Sequence, residues 1–141
     1  MSRPDIASAG EPVIDRRYPE VAGLLQDYLD GLYTSDAAKL GRVFHPDAHY
    51  VCASETPLVL KTMAEYLPMV AHRPSPASRG ERRLDDIQAI ELAGPATAFA
   101  KVRCAIGERL FTDFLTLIRV DGRWQVIAKV FHVEPRPPQP A

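Results

Sequence analysis

Past position 80 the chain settles into a period of two. The segments "RRLDDIQAIELA", "ATAFAKVRCAI", "RLFTDFLTLIRV" and "RWQVIAKVFHVE" are separated by Gly94-Pro95, Gly107-Glu108 and Asp121-Gly122. Such alternation marks strands with one buried face, and such dipeptides mark short hairpins. Four strands in succession predict an antiparallel meander. Its apolar face must be covered by something, and the first half of the chain supplies the cover.

"RRYPEVAGLLQDYLDGLYTSD" reads as a helix. Pro19 suits its first turn, and Val21, Leu24, Leu25, Tyr28 and Leu32 recur at helical spacing. Gly31 and Thr34-Ser35-Asp36 allow a stop and a new N-cap, so "DAAKLGRVF" is a short second helix that ends before Pro46. "AHYVCA" and "TPLVL" read as two short strands. "TMAEYLPMVAHR" is a third helix, opened by Thr62 and Glu65 in capping-box spacing and interrupted by Pro68. Helices followed by a meander make an α+β domain. Residues 1–15 read as a flexible N-terminal arm, 16–134 as a single domain and 135–141 as a proline-rich tail.

The 141 residues are enough for one core, and the formal net charge of -1 leaves no basic stripe. Nucleic acid is therefore not expected as a partner. Nor is a membrane, since no apolar run approaches a span. Cys52 and Cys104 lie far apart, outside any CxxC pattern, and read as reduced core thiols of a cytoplasmic protein. No phosphate-binding glycine loop is present, and no cofactor is expected. His45, Asp47 and His49 invite a metal reading, but Pro46 breaks any helix there, so the two histidines need not share a side, and His72 and His132 are distant in sequence; no metal is expected either.

Pairing arithmetic says which side chains share a face. With two-residue turns at Gly107-Glu108 and Asp121-Gly122, Val102 faces Asp113, Asp113 faces Val130, and Phe111 faces His132. One face then collects Ala98, Ala100, Val102, Cys104, Phe111, Asp113, Leu115, Leu117, Trp124, Val126, Ala128, Val130 and His132. It is nearly all apolar, so it belongs to the core. Asp113 is its only acid, with His132 on the diagonal about 7–8 Å away. A carboxylate in an apolar interior must be paired, protonated or wetted, which makes Asp113 the first candidate for a site. The other face holds Phe99, Lys101, Arg103, Thr112, Phe114, Thr116, Ile118, Arg123, Gln125, Ile127, Lys129 and Phe131. This mixture of apolar and charged residues suits a homodimer interface.

The opening helix with "LGRVFHPDAHYV", the capped third helix and "FTDFLTLIRVDGRWQVIAKVFH" together resemble the nuclear transport factor 2-like superfamily, the SnoaL-like or cystatin-like α+β cone. Within it the last stretch is most similar to the group labelled putative lumazine-binding proteins, and the resemblance runs from Arg17 to Val133. It implies a curved antiparallel sheet wrapped around three N-terminal helices, cone-shaped with a central pocket. Some members are isomerases, dehydratases or polyketide cyclases; others bind small ligands. Ketosteroid isomerase, a member, pairs an Asp base with a Tyr and a protonated Asp. Tyr28 and Asp113 resemble that set only loosely.

Phe44, His49, Tyr50, Met63, Tyr66 and Met69 come from segments that would line such a pocket, with Tyr28 and Trp124 beside them. Aromatic walls with a few polar groups are usual for small-molecule sites; ordinary core packing is the alternative for each, and for Met63 and Met69 it is the preferred one. Two functions follow as expectations. One is a dimeric pocket protein for an apolar or heterocyclic ligand. The other is a cofactor-free acid–base enzyme, with Asp113 as base, His132 as its relay, and Tyr50 or Tyr66 donating to an oxyanion. A module binding other proteins would use the sheet surface instead.

Overall fold

Asp121 and Gly122 both take positive φ, 52° and 75°. That matches the two-residue turn whose twist suits a hairpin. The computed structural model describes residues 15–137, so most of the expected N-terminal arm and the last four residues of the expected tail lie outside the described residues. Among the described residues three α-helices, α1 (Arg17–Thr34), α2 (Ala37–Val43) and α3 (Met63–His72), accompany six strands. These are β1 (Phe44–Cys52), β2 (Val59–Thr62), β3 (Asp85–Ala93), β4 (Thr97–Ile106), β5 (Arg109–Val120) and β6 (Arg123–Pro135). The strands form one sheet in the order β2-β1-β6-β5-β4-β3.

The local signals work where they were expected to. Ser35 ends α1 with a left-handed φ of 51°, and the Asp36 carboxylate accepts the Lys39 N–H to cap α2. The Thr62 backbone N–H donates to Glu65 Oε1 at 3.0 Å, closing the box at the start of α3. Every neighbouring pair in the sheet is antiparallel except β1 and β6, which run parallel. A parallel pair needs a long crossover, and the segment between these two strands contains α3 and the rest of the meander.

The β4–β5 register agrees with the turn arithmetic: Val102 pairs with Asp113 and Cys104 with Phe111. The β5–β6 register begins as expected, with Val120 opposite Arg123 and Leu117 opposite Val126. Thr116 then pairs with Ala128, so Ile127 is an extra residue, a β-bulge in mid-strand. From there on every side chain of β6 changes face. Asp113 is opposite Phe131, Phe111 opposite Val133 and Thr112 opposite His132.

This corrects several expectations. Lys129 and Phe131, assigned to the outer face, are buried on the inner one. Val130 and His132, assigned to the core, are exposed. His132 meets Glu134 at 2.9 Å in solvent and not Asp113. Gln125 is also buried, donating to the carbonyls of Arg42 and Phe44 where β1 begins. The alternation of β1 puts Tyr50 inside and His49 outside, so His49 does not line the interior. A bulge of this kind bends its strand, and the hydrophobic core lies between the sheet and the helices.

Candidate functional site

Three polar side chains meet inside this core. Tyr28 comes from the buried face of α1, Asp113 from β5 and Lys129 from β6 beyond the bulge. Asp113 has no exposed surface, and Lys129 is only 3% exposed. The Tyr28 hydroxyl donates to Asp113 Oδ2 at 2.5 Å. Lys129 Nζ lies 3.9 Å from the same oxygen. Asp113 Oδ1 is buried without a partner among the described residues.

The ammonium sits within an aromatic cage. Its distances to the ring centroids are 4.9 Å for Phe131, 5.1 Å for Tyr50, 5.3 Å for Tyr28, and 5.9 Å for both Tyr66 and Phe111. Each ring presents the negative face of its quadrupole to the charge, and the attraction grows when water is excluded. The rings also support one another. Tyr50 stacks on Tyr66 at 4.4 Å, and Phe44 meets Tyr28 and Tyr66 edge-on at 5.9 and 5.8 Å.

The electrostatics follow from this burial. Loss of water pushes the Asp113 carboxyl above its ordinary range, while the Lys129 charge and the Tyr28 hydrogen bond pull it back. Burial pulls Lys129 down, but the Asp113 carboxylate leads the groups that raise it, and the net direction is upward. Lys129 is therefore an ammonium at neutral pH. Burial, and then the nearby Asp113 charge, holds Tyr28 well above the usual phenol range. Burial also pushes the Cys104 thiol up to about 12, which leaves it unreactive.

A cleft of about 270 Å³ borders this cluster. Tyr50, Phe111 and Phe131, three of the five caging rings, form its floor, and Met69, Lys61, Arg73 and Arg109 stand on its walls. Asp113 and Lys129 lie one aromatic layer below. A larger, more open groove of about 590 Å³ touches Glu81, Arg82, Glu108 and Arg136 and none of these rings. It lacks the apolar walls of a ligand site.

Of the residues expected from the sequence, Tyr28, Tyr50, Tyr66 and Asp113 come together. Phe44 and Met63 are buried core around them. Met69 reaches the cleft wall. Trp124 is buried near the Asp121-Gly122 turn, roughly 20 Å along β6 from Phe131. His49 and His132 are outside. Lys129, Phe131 and the cleft cations were missed. The one available signal was a phase change in β6, where the aromatics fall on an even position at Trp124 and an odd one at Phe131. His45 lies 4.0 Å from Asp47, and no group of three metal-ligating side chains occurs among the described residues.

Removing Lys129 should therefore be pH-sensitive. A carboxyl whose folded pKa is raised favours folding below its unfolded pKa and loses that contribution as pH rises through the folded value. Lys129→Met deletes the opposing pull and raises the carboxyl further. The variant should lose several kcal/mol at about pH 8 and clearly less at about pH 5, as read by urea unfolding. Equal losses at both pH values would contradict a charged pair.

With the geometry in place, comparison with known proteins supplies the family. A family model described as "Putative lumazine-binding" matches residues 17–132. An NTF2-like protein of unknown function from Shewanella baltica has a similar structure, with a TM-score of 0.76, 21% identity, and coverage of 89% of this chain and 99% of that one. For an NTF2-like protein from Silicibacter pomeroyi the values are 0.72, 20%, 84% and 97%. For a ketosteroid isomerase-like protein from Erwinia carotovora atroseptica they are 0.67, 10%, 85% and 98%. At these identities the likeness is one of fold. A shorter match, 41% identical over 44 residues, is to a Cladobotryum protein described as "Aldolase FrzH"; it spans 30% of this chain and about a third, 35%, of that protein. A model that covers most of the chain settles membership: the chain belongs to the Putative lumazine-binding family, and its fold is that of the NTF2-like proteins.

Proposed function

We propose that the protein binds a small planar ligand in the cleft, with the ligand lying on Tyr50, Phe111 and Phe131. The observation that carries this reading is the cleft's construction, an apolar aromatic floor with a few polar groups at its walls. The family's description points to a pterin-like heterocycle. The cage beneath is a rigid platform, because the rings that face the ligand are held from below by Lys129.

A second reading is favoured by one observation. Asp113 is buried, has an unpartnered oxygen and has its carboxyl raised, as a general base for proton abstraction beside a carbonyl requires. Lys129 and Tyr28, rather than His132, would be its partners. The partial match to a protein named as an aldolase is in keeping with chemistry of this kind. Substrate would reach Asp113 only after the Phe131 or Tyr50 ring turns aside.

Thermal shift and calorimetry with a panel of planar bicyclic heterocycles, lumazine among them, test both readings. At least one compound should raise the melting temperature of the wild type, and Phe131→Ala should weaken its binding by tenfold or more, on the order of 1.5 kcal/mol. No stabilisation by any member, together with no co-purifying small molecule in native mass spectrometry, would refute the cleft. Asp113→Asn that keeps ligand affinity and loses any turnover supports the second reading; unchanged turnover removes it.

The same reading makes the protein a homodimer through the outer sheet face. Phe114 and Val130 are 49% and 47% exposed there, and Phe99 packs against Phe114 with ring centroids 5.5 Å apart. Large exposed apolar residues on a sheet usually meet a partner. The two free thiols suit a reducing compartment such as the cytoplasm. Light scattering at micromolar concentration should give twice the chain mass, and Phe114→Glu should give a folded monomer. A monomeric wild type would overturn the dimer.

A further inference from the structure

The cleft wall contains a cation whose hydrogen bonds are unmade. Arg73 follows α3 directly, in extended backbone, and lines the cleft. Its Nε and Nη2 are buried and have no partner among the described residues. These two atoms are the edge of a guanidinium that presents two parallel N–H groups. A buried donor left unpaired destabilises a fold, and a charged one more so. Such a pair has a natural complement in the two oxygens of a carboxylate.

The neighbouring charges say how many anionic groups the cleft takes. Arg109 Nη2 is bridged to Glu55 Oε1 at 2.5 Å. Lys61 stands on β2 opposite Tyr50. Among the cleft cations, Arg73 alone combines burial with an unpaired fork, so one carboxylate matches the supply better than a phosphate dianion. Binding there would require the fork to turn toward the cleft about the side chain's own carbon stem, and the position of Arg73 past the last turn of α3 leaves that turn free of the helix backbone.

We infer that the cleft takes planar aromatic or heteroaromatic carboxylates, with the ring plane on Phe111, Phe131 and Tyr50 and the carboxylate in the fork of Arg73. The inference rests on the cleft being a ligand site and adds the substrate class. It also orients the ligand, with its charged end on the α3 side and its opposite edge over the Lys129–Asp113 cluster.

Calorimetry with naphthoate, naphthamide and naphthyl phosphate tests it, because the three share a ring and differ in the head group. Wild-type protein should bind naphthoate about tenfold or more tighter than naphthamide. Arg73→Gln should abolish that preference, with the loss falling mainly on naphthoate, and Arg73→Lys should restore only part of it, having charge without a fork. Equal binding of acid and amide by the wild type overturns the carboxylate inference and leaves the cleft intact. Tighter binding of the phosphate overturns it in favour of a phosphoryl ligand. No binding of any probe refutes the aromatic platform itself, and the inference with it.

Discussion

An ammonium and a carboxylate taken out of water together each lose several kcal/mol of hydration, and their mutual attraction repays this only if the remaining donors and acceptors are also served. Lys129 and Asp113 meet that condition in an unusual way. A phenol serves the carboxylate, and five ring faces serve the ammonium in place of water. The elements that supply those groups, α1, α3, β1, β5 and β6, have to be in position together. The pair therefore couples the helices to the sheet more specifically than apolar packing could, since apolar packing tolerates exchange of one side chain for another of similar size.

The same arrangement makes the cleft what it is. The rings that cage the ammonium from above are the floor on which a ligand would lie. Their orientation is set by a charge underneath, so the platform is ordered before anything binds, and less freedom is lost when something does. The unpaired oxygen of Asp113 and the unpaired edge of Arg73 lie on either side of this layer, one below the floor and one in the wall. On the proposed reading, recognition would fall to the wall and any chemistry to the layer below.

Much of this was legible in the sequence. The turn dipeptides located the hairpins, and the β4–β5 count placed Asp113 inward and opposite Val102, as the structure has it. Helical spacing placed Tyr28 on the covering face of α1, so both partners of the 2.5 Å hydrogen bond could be named from pattern alone. The bulge was harder to see. Val126, Ile127 and Ala128 are all small or apolar, so an extra residue among them does not interrupt the run, and only the shift in phase between Trp124 and Phe131 marks it, yet it exchanges His132 for Lys129 at the buried position. Arg73 was hidden for another reason. It lies in the loop after a helix, where no periodicity assigns a direction to a side chain.

The account turns on Lys129 facing inward. Brief labelling of the folded protein with an amine-reactive reagent, read residue by residue in a mass spectrometer, tests this directly, because Lys39 and Lys61 serve as internal references away from the outer sheet face. Those two should react while Lys129 stays unmodified until the chain is unfolded. Modification of Lys129 at the rate of Lys61 would place its ammonium in water and contradict the buried pair, the bulge and the ordered floor together.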